Sequence, residues 1–442
     1  ILARRKTFTP QQVTVGELHE DGYCSAESDS RLCVYGTLPG ETVTAMPFTR
    51  KQRKIFARPI EISSSHPDRV EAPCNVADIC GGCSLQHLDP DQQILFKQNF
   101  VQNTFGEVQP EKWYAPLRGD VGSYRAKARL GVKYVDKKEK VLVGFREKLK
   151  PYIVDTDRCH VLKAPVGELL PALAELISGL SIPRDIPQIE VAIGDSSLGS
   201  KVALVFRHLQ DLSVDDRKKL AKFAEQHSLH IYLQPNKPDN ITKLYPEDGN
   251  DYLSYELTSF DITFEFLPLD FTQVNPSINE KMIQKAIELL HVKSEDRVLD
   301  AFCGIGNFSL PLARHAAHVM GIEASDDSVV RARHNASLNG INNSVFISAD
   351  LFAESFDFAG LQEVNKVLLD PPRSGALSLV KKLASILASS KVERVVYVSC
   401  NPVSLARDAK ILVSNGYKFE GAGVIDMFPH TTHVESIATF SI

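Results

Sequence analysis

Residues 297–313, RVLDAFCGIGNFSLPLA, run from an apolar strand into a helix through a turn carrying Gly304 and Gly306. Two glycines there let the backbone turn tightly and approach a ligand closely. Downstream, strand-like and helix-like segments alternate: HVMGIEA (318–324), VVRARHNASLNG (329–340), SVFISAD (344–350), KVLLDPPR (366–373), LVKKLASILAS (379–389), RVVYVSCNP (394–402) and SLARDAKILVSNG (404–416). A helical segment, NEKMIQKAIELLHV (279–292), leads in. That rhythm predicts a doubly wound parallel α/β sheet of Rossmann type.

Upstream the patterning changes. QQVTVGEL (11–18), RLCVYGTL (31–38), ETVTAMPFTR (41–50) and KIFARPIEI (54–62) read as short strands with turn signals at Asp21-Gly22 and Leu38-Pro39-Gly40. Several short strands in about fifty residues predict a small OB-like β-barrel. A polar helix is expected from Asp89 to about Phe105, and strands mix with helices from 124 to about 260. Among these, 186–194 and 201–207 are expected to pair antiparallel in one sheet. The chain therefore divides into a barrel at 1–63, a central α+β domain with a cysteine cluster at 64–268, and a Rossmann-type domain at 269–442.

Of the 442 residues, 43% are hydrophobic and 24% charged, which describes a water-soluble globular chain. No uncharged apolar run is long enough to span a bilayer. The N-terminal stretch ILARRKTFTPQQ is basic without an apolar h-region, so a cytoplasmic location, without membrane association, is expected. The net charge of −5 is unevenly spread. Residues 125–150 carry ten Lys/Arg against three acids, and Arg50, Lys51, Arg53, Lys54 and Arg58 form a second basic stretch. Either stretch could be a solvated face, but together they fit a channel for a polyanion.

Chemistry concentrates at the ends of the C-terminal strands, where open α/β sheets bind ligands. Glu323 ends the second strand, where a carboxylate can accept from ribose hydroxyls, and Asp350 follows the third. The third glycine of a dinucleotide fingerprint is missing, so no pyrophosphate is expected, and the pattern is similar to S-adenosylmethionine sites. Asp370-Pro-Pro-Arg373 ends the fourth strand and Ser399-Cys400-Asn401-Pro402 the fifth. A cysteine exposed there by the Asn-Pro break is a candidate nucleophile. Carbon 5 of uracil is too weak a nucleophile to take a methyl group unless a thiolate first adds to carbon 6. A base must then remove the carbon-5 proton. Glu435 is the preferred base over His430 and His433, which have alternative packing or hydrogen-bonding roles.

Taken together, SCNP, DPPR, FTQVN (271–275), DAFCGIGNFSLPLA (300–313) and FPHTTHVE (428–435) resemble the RNA uracil-C5 methyltransferases over essentially the whole chain. That resemblance implies Cys400 as nucleophile and Glu435 as base. It implies an S-adenosyl-L-methionine site lined by Gln273, Phe302, Asn307, Glu323, Asp350 and Asp370. The barrel resembles a TRAM module, which implies contact with RNA.

Cys74, Cys80 and Cys83, with Cys159 as a fourth, suit either tetrahedral zinc or an iron–sulfur cluster on spacing alone. The pattern resembles the family members that carry a [4Fe–4S] cluster, with a structural role. Cys24 and Cys33 read as structural. Barrel and cluster together resemble the members acting on large-subunit ribosomal RNA, which implies that RNA as partner and a monomeric enzyme. A transfer-RNA uridine methyltransferase is the alternative. A radical S-adenosylmethionine enzyme would need C-x₃-C-x₂-C, whereas five residues separate Cys74 from Cys80. An adenine-directed enzyme would be expected to carry an aromatic residue where Arg373 stands.

Overall fold

The computed structural model describes residues 8–442 apart from 198, 236–240, 248, 354–360, 362 and 387–391. The first seven residues of the basic N-terminal stretch, and positions 387–389 of the helix read at 379–389, lie outside the described residues.

β1 (Gln11–Leu18), β2 (Tyr23–Ala26), β3 (Asp29–Tyr35), β4 (Thr42–Lys51) and β5 (Lys54–Ser64) close into a barrel in the order β1-β2-β3-β5-β4. Closure leaves no free edge. Val15, Cys24, Leu32, Val34, Val43 and Ala57 fill its centre. Both barrel cysteines are buried, and the Cys24 thiol donates to the Thr37 carbonyl at 3.3 Å.

Asp89 caps helix α1 (Pro90–Phe105) by accepting from the Asp91 and Gln92 amides, with Pro90 at the first helical position. Along α1, Gln93, Lys97, Val101 and Phe105 recur every fourth residue and are buried together. Their partners are far along the chain: α1 packs on α8 (Pro402–Ser414) and β20 (Lys418–Ile425). β6 (Lys112–Trp113) then pairs with β20, so residues 90–113 join the C-terminal sheet.

The middle of the chain forms a six-stranded sheet, β12-β11-β10-β9-β7-β8. Its strands are β7 (Lys127–Val135), β8 (Lys140–Gly144), β9 (Gln188–Ser196), β10 (Gly199–Arg207), β11 (Leu229–Gln234) and β12 (Thr242–Tyr245), with helices α2 (Leu170–Ser178) and α3 (Val214–His227) between them. β9 and β10 pair antiparallel as the sequence predicts. The hairpin of β13 (Leu253–Leu257) and β14 (Ile262–Phe266) bridges onward. Phe264 and Phe266 share a core with Ala203 and Val205 of the six-stranded sheet and with Ile278 and Met282 of α4 (Pro276–Leu290).

The C-terminal sheet runs β17-β16-β15-β18-β19-β21-β20-β6. β15 (Arg297–Ala301), β16 (His318–Glu323), β17 (Ser344–Ser348), β18 (Lys366–Leu369) and β19 (Arg394–Ser399) are mutually parallel. Helices α5 (Ser309–Ala313), α6 (Asp326–Leu338) and α7 (Leu377–Ile386) connect them. The sheet is not wholly parallel, which corrects the sequence-based expectation. β21 (Glu435–Ser441) runs antiparallel to both β19 and β20. It is buried along nearly its whole length and lacks the apolar–polar alternation of a half-exposed strand.

Candidate active site

The chain winds outward from β15 to β17, then returns to β18 on the other side of β15, so the switch point lies between β15 and β18. Open α/β sheets bind ligands at that crevice. Asp300 of β15 pairs with Leu368 of β18, which brings Asp300, the 302–308 turn and Asp370 to one crevice. The Asp300 carboxyl is fully buried and accepts from the Ser309 hydroxyl at 2.5 Å, while its other oxygen has no partner. Burial, with the Asp370 carboxyl nearby, pushes Asp300 up to about 7. Burial alone holds Asp370 at about 7. Phe302 adopts φ +68°, a left-handed conformation uncommon for a bulky side chain. Gly304 follows at φ +53° with open space where a side chain would stand.

The other sequence-predicted residues stand as follows. Glu323 closes β16, and its carboxylate accepts from the Gly304 amide at 3.3 Å and the Ser325 amide at 3.0 Å. Asp350 is exposed two residues past β17 and accepts from the Phe352 amide. The rings of Phe302 and Phe352 lie 5.6 Å apart. Asn307 exchanges both side-chain hydrogen bonds with Asn279 of α4 and accepts from the Tyr255 hydroxyl, which ties the glycine turn to α4. Gln273 is half-buried in the loop before α4, where the Ala126 amide donates to the Val274 carbonyl at 2.8 Å. An orphaned buried carboxyl oxygen, an open glycine turn and a half-exposed acid at the end of β16 fit a polar, phosphate-free ligand such as S-adenosylmethionine.

Cys400 and Glu435 meet through strand register. The antiparallel ladder of β19 with β21 ends at Ser399–Ser436, so Cys400 and Glu435 flank its last rung. Asn401 caps α8 by accepting from the Val403 amide, and Pro402 takes the first helical position. The Asn-Pro pair that the sequence marks as a strand break is thus a helix start. Cys400 is half-buried and Glu435 buried. Burial pushes the Cys400 thiol up to about 11, assisted by Glu435 and Asp370 and opposed by Arg373. Burial, with Asp370 again assisting, carries Glu435 well above the usual carboxylate range.

Cys400 opens into a cleft of about 1000 Å³. The barrel contributes Asp21, Tyr35 and Lys51 to its walls, the cysteine segment Gly81–Ser84, and the middle sheet Arg129 and the hairpin loop 145–151. Of the basic stretches, Lys51, Arg129, Arg146, Lys148 and Lys150 face the cleft, whereas Lys138 and Lys140 pair with Asp155 instead. His430 and His433 lie in the loop before β21. His430 is buried, with its ring against the Gln93 amide at 3.2 Å and its own amide donating to Gln93 at 2.9 Å. His433 faces Arg373.

Cys74, Cys80, Cys83 and Cys159 all line one small cavity walled by Phe145, Val154 and Leu170. Among the described residues, no group of three or more His, Cys, Asp or Glu side chains has the arrangement of a metal-ion site. Four thiols on one apolar cavity are nonetheless a donor set that suits a thiolate-bound metal group. Burial raises the Cys80 and Cys159 thiols and carries Cys83 to about 12. The half-buried Lys148 ammonium donates to the Cys80 carbonyl at 2.7 Å.

Sequence reading missed the supports of the loop before Glu435. Lys97 forms a buried ion pair with Asp426 at 2.6 Å and donates to the Phe428 carbonyl. Tyr124 donates to the Pro429 carbonyl, and the Ser84 and Leu85 amides to that of His430. The signal was present in α1, where Gln93 and Lys97 occupy its apolar stripe and so require buried partners.

The Rossmann-type sheet with its acid-lined switch point puts the chain in the methyltransferase class. Comparison with known proteins narrows the class. The tRNA (uracil-5-)-methyltransferase family profile matches residues 89–440, and the chain belongs to that family. It is 46% identical over 99% of both chains to the 23S rRNA (uracil(1939)-C(5))-methyltransferase RlmD of Hahella chejuensis. With the protein of that name from Methylococcus capsulatus it shares 48% identity over 95% of this chain and 94% of the relative. Among solved structures, the Pyrococcus abyssi tRNA (uracil-54, C5)-methyltransferase in complex with S-adenosyl-L-homocysteine aligns over 97% of this chain and 100% of its own. That alignment has a TM-score of 0.74 at 25% identity. Among the described residues no helix is long and apolar enough to cross a membrane.

Proposed function

We propose that this chain methylates carbon 5 of a uridine in 23S ribosomal RNA, at the position equivalent to that named for its relatives. The observation that carries the chemistry is the juxtaposition of Cys400 and the buried Glu435 at the end of the β19–β21 ladder, with Cys400 open to a cleft large enough for a flipped nucleotide. Cys400, as thiolate, adds to carbon 6, forming a sulfur–carbon bond and leaving the ring as an enolate with charge on carbon 5. S-adenosylmethionine, bound at the β15/β18 crevice, supplies the electrophilic methyl that carbon 5 takes, and departs as S-adenosylhomocysteine. Glu435 then accepts the carbon-5 proton, the carbon 6–sulfur bond breaks, and the Cys400 thiolate is regenerated. The raised proton affinity of Glu435 suits a base.

Gln273, Phe302, Asn307, Glu323, Asp350 and Asp370 are assigned to the cofactor pocket, and Asp370 also to the target base. Identity of 46% to a relative named for ribosomal RNA, against 25% to one named for transfer RNA, favours the ribosomal substrate. Cys74, Cys80, Cys83 and Cys159 would hold a [4Fe–4S] cluster, whose role is to tie the cysteine segment to the middle sheet, since methyl transfer consumes no electron. In this reading the acting unit is a monomer, working in the cytoplasm where ribosomes are built.

The test is Glu435→Gln with a large-subunit RNA fragment and S-adenosylmethionine. The methylated RNA is expected to stay covalently attached to Cys400, because the carbon-5 proton has no acceptor. Release of free methylated RNA at the wild-type rate would remove Glu435 from the role of base.

A further inference from the structure

Glu435 stands across the last rung of the β19–β21 ladder from Cys400, Asp370 follows the neighbouring strand β18, and both carboxyl groups work against a thiolate at Cys400. A nucleophile in such surroundings needs a cation. Arg373 lines the same cleft and is held from two sides. Its carbonyl accepts from the Asn401 side chain at 2.8 Å, which ties the β18–α7 loop to the residue after the nucleophile. Its guanidinium meets His433 Nδ1 at 3.2 Å. A guanidinium can only donate, so Nδ1 is the acceptor and His433 is neutral, with its proton on Nε2. Burial keeps His433 neutral, as do the charges of Arg373, Lys97 and Arg125. The loop carrying His433 is itself fixed, because the His433 amide donates to the Thr431 hydroxyl and the Thr432 amide to Ser84.

From this geometry we propose that Arg373, oriented by His433, is a positioning residue for methyl transfer, the counter-charge that lets Cys400 act as a nucleophile. The proposal rests on Cys400 being the nucleophile. Arg373 is solvent-exposed in the open cleft, so water screens its charge. RNA filling the cleft displaces that water and strengthens an interaction that the free chain already has in screened form.

The experiment follows alkylation of Cys400 by iodoacetamide against pH, in the full chain without RNA, by mass spectrometry of the peptide carrying Cys400. Arg373→Gln is expected to move the profile upward by half to one pH unit, which leaves roughly three- to tenfold less thiolate at a given pH. Arg373→Lys should keep most of the wild-type reactivity, and His433→Ala should fall between wild type and Arg373→Gln. Unchanged S-adenosylmethionine affinity reports intact folding. Coincidence of Arg373→Gln and His433→Ala with wild type would overturn the proposal. Where Arg373→Gln does not fold, coincidence of the His433→Ala profile with wild type is enough to overturn it. Wild-type adduct formation with 5-fluorouridine RNA, run in parallel, separates the two claims. Its absence indicts the nucleophile, whereas its presence with unshifted profiles indicts only Arg373.

Discussion

The backbone amide of Thr432 donates to the hydroxyl of Ser84 across 3.2 Å, joining the cysteine segment to the loop that leads into Glu435. The barrel closes on the same spot. Gly22 has φ +82°, and a β-carbon there would stand 2.7 Å from Ser84 and 3.5 Å from Thr432. Barrel turn, cysteine segment and the loop leading into Glu435 therefore meet at Ser84, and the cleft inherits its shape from all three.

Gly22→Ala imposes both a left-handed non-glycine residue and a clash with Ser84. The expected cost is about 1–3 kcal/mol, read as a lowered thermal midpoint with reduced RNA methylation. A midpoint equal to wild type would mean that the junction yields without strain.

Lys97→Met leaves the Asp426 carboxylate buried without its partner at 2.6 Å. Breaking a buried pair from one side costs about 3–5 kcal/mol, and replacing both partners with apolar residues recovers much of it. Urea unfolding of Lys97→Met and of Lys97→Met/Asp426→Leu measures the difference. Equal stability of the two variants would contradict the pairing.

Burial holds Asp370 at about 7, whereas a free aspartate titrates near ~4. Between those values the folded chain keeps a proton that the unfolded chain has lost. The protonated group thus contributes stability fully present below about pH 4 and lost as pH rises through about 7. Asp370→Asn removes that dependence, so the gain in its thermal midpoint over wild type should be larger at pH 8 than at pH 5. A gap independent of pH would place Asp370 in a more solvated setting.

Much of this was legible in the chain itself. The strand–turn–helix rhythm around Asp300 and Gly304 marked the Rossmann-type domain, and the strand-end positions of Glu323, Asp370 and Cys400 followed from it, whereas the switch point between β15 and β18 came from the strand order. The antiparallel β21 was not legible, because a strand buried on both faces has no period to read. Neither were the partners of Gln93 and Lys97, which lie more than three hundred residues away in sequence. Local pattern marks such residues as needing partners without saying which. Arg373 was visible, but its contact with His433 arises from the meeting of two loops.

If Cys74, Cys80, Cys83 and Cys159 hold a four-iron cluster, anaerobically purified protein should contain about four irons per chain. Cys159→Ser should lose them together with thermal stability, because the segment that positions Ser84 would lose its anchor. One zinc per chain, or iron retained in Cys159→Ser, would refute the assignment.

The central claim is covalent attack by Cys400 on a uridine. RNA fragments of the large subunit carrying 5-fluorouridine, incubated with the chain and S-adenosylmethionine, should give a denaturation-resistant protein–RNA band, because fluorine cannot leave as a proton. That band should vanish in Cys400→Ala while S-adenosylmethionine still binds. A band that persists in Cys400→Ala, or no band from wild type with the cofactor bound, would contradict the account.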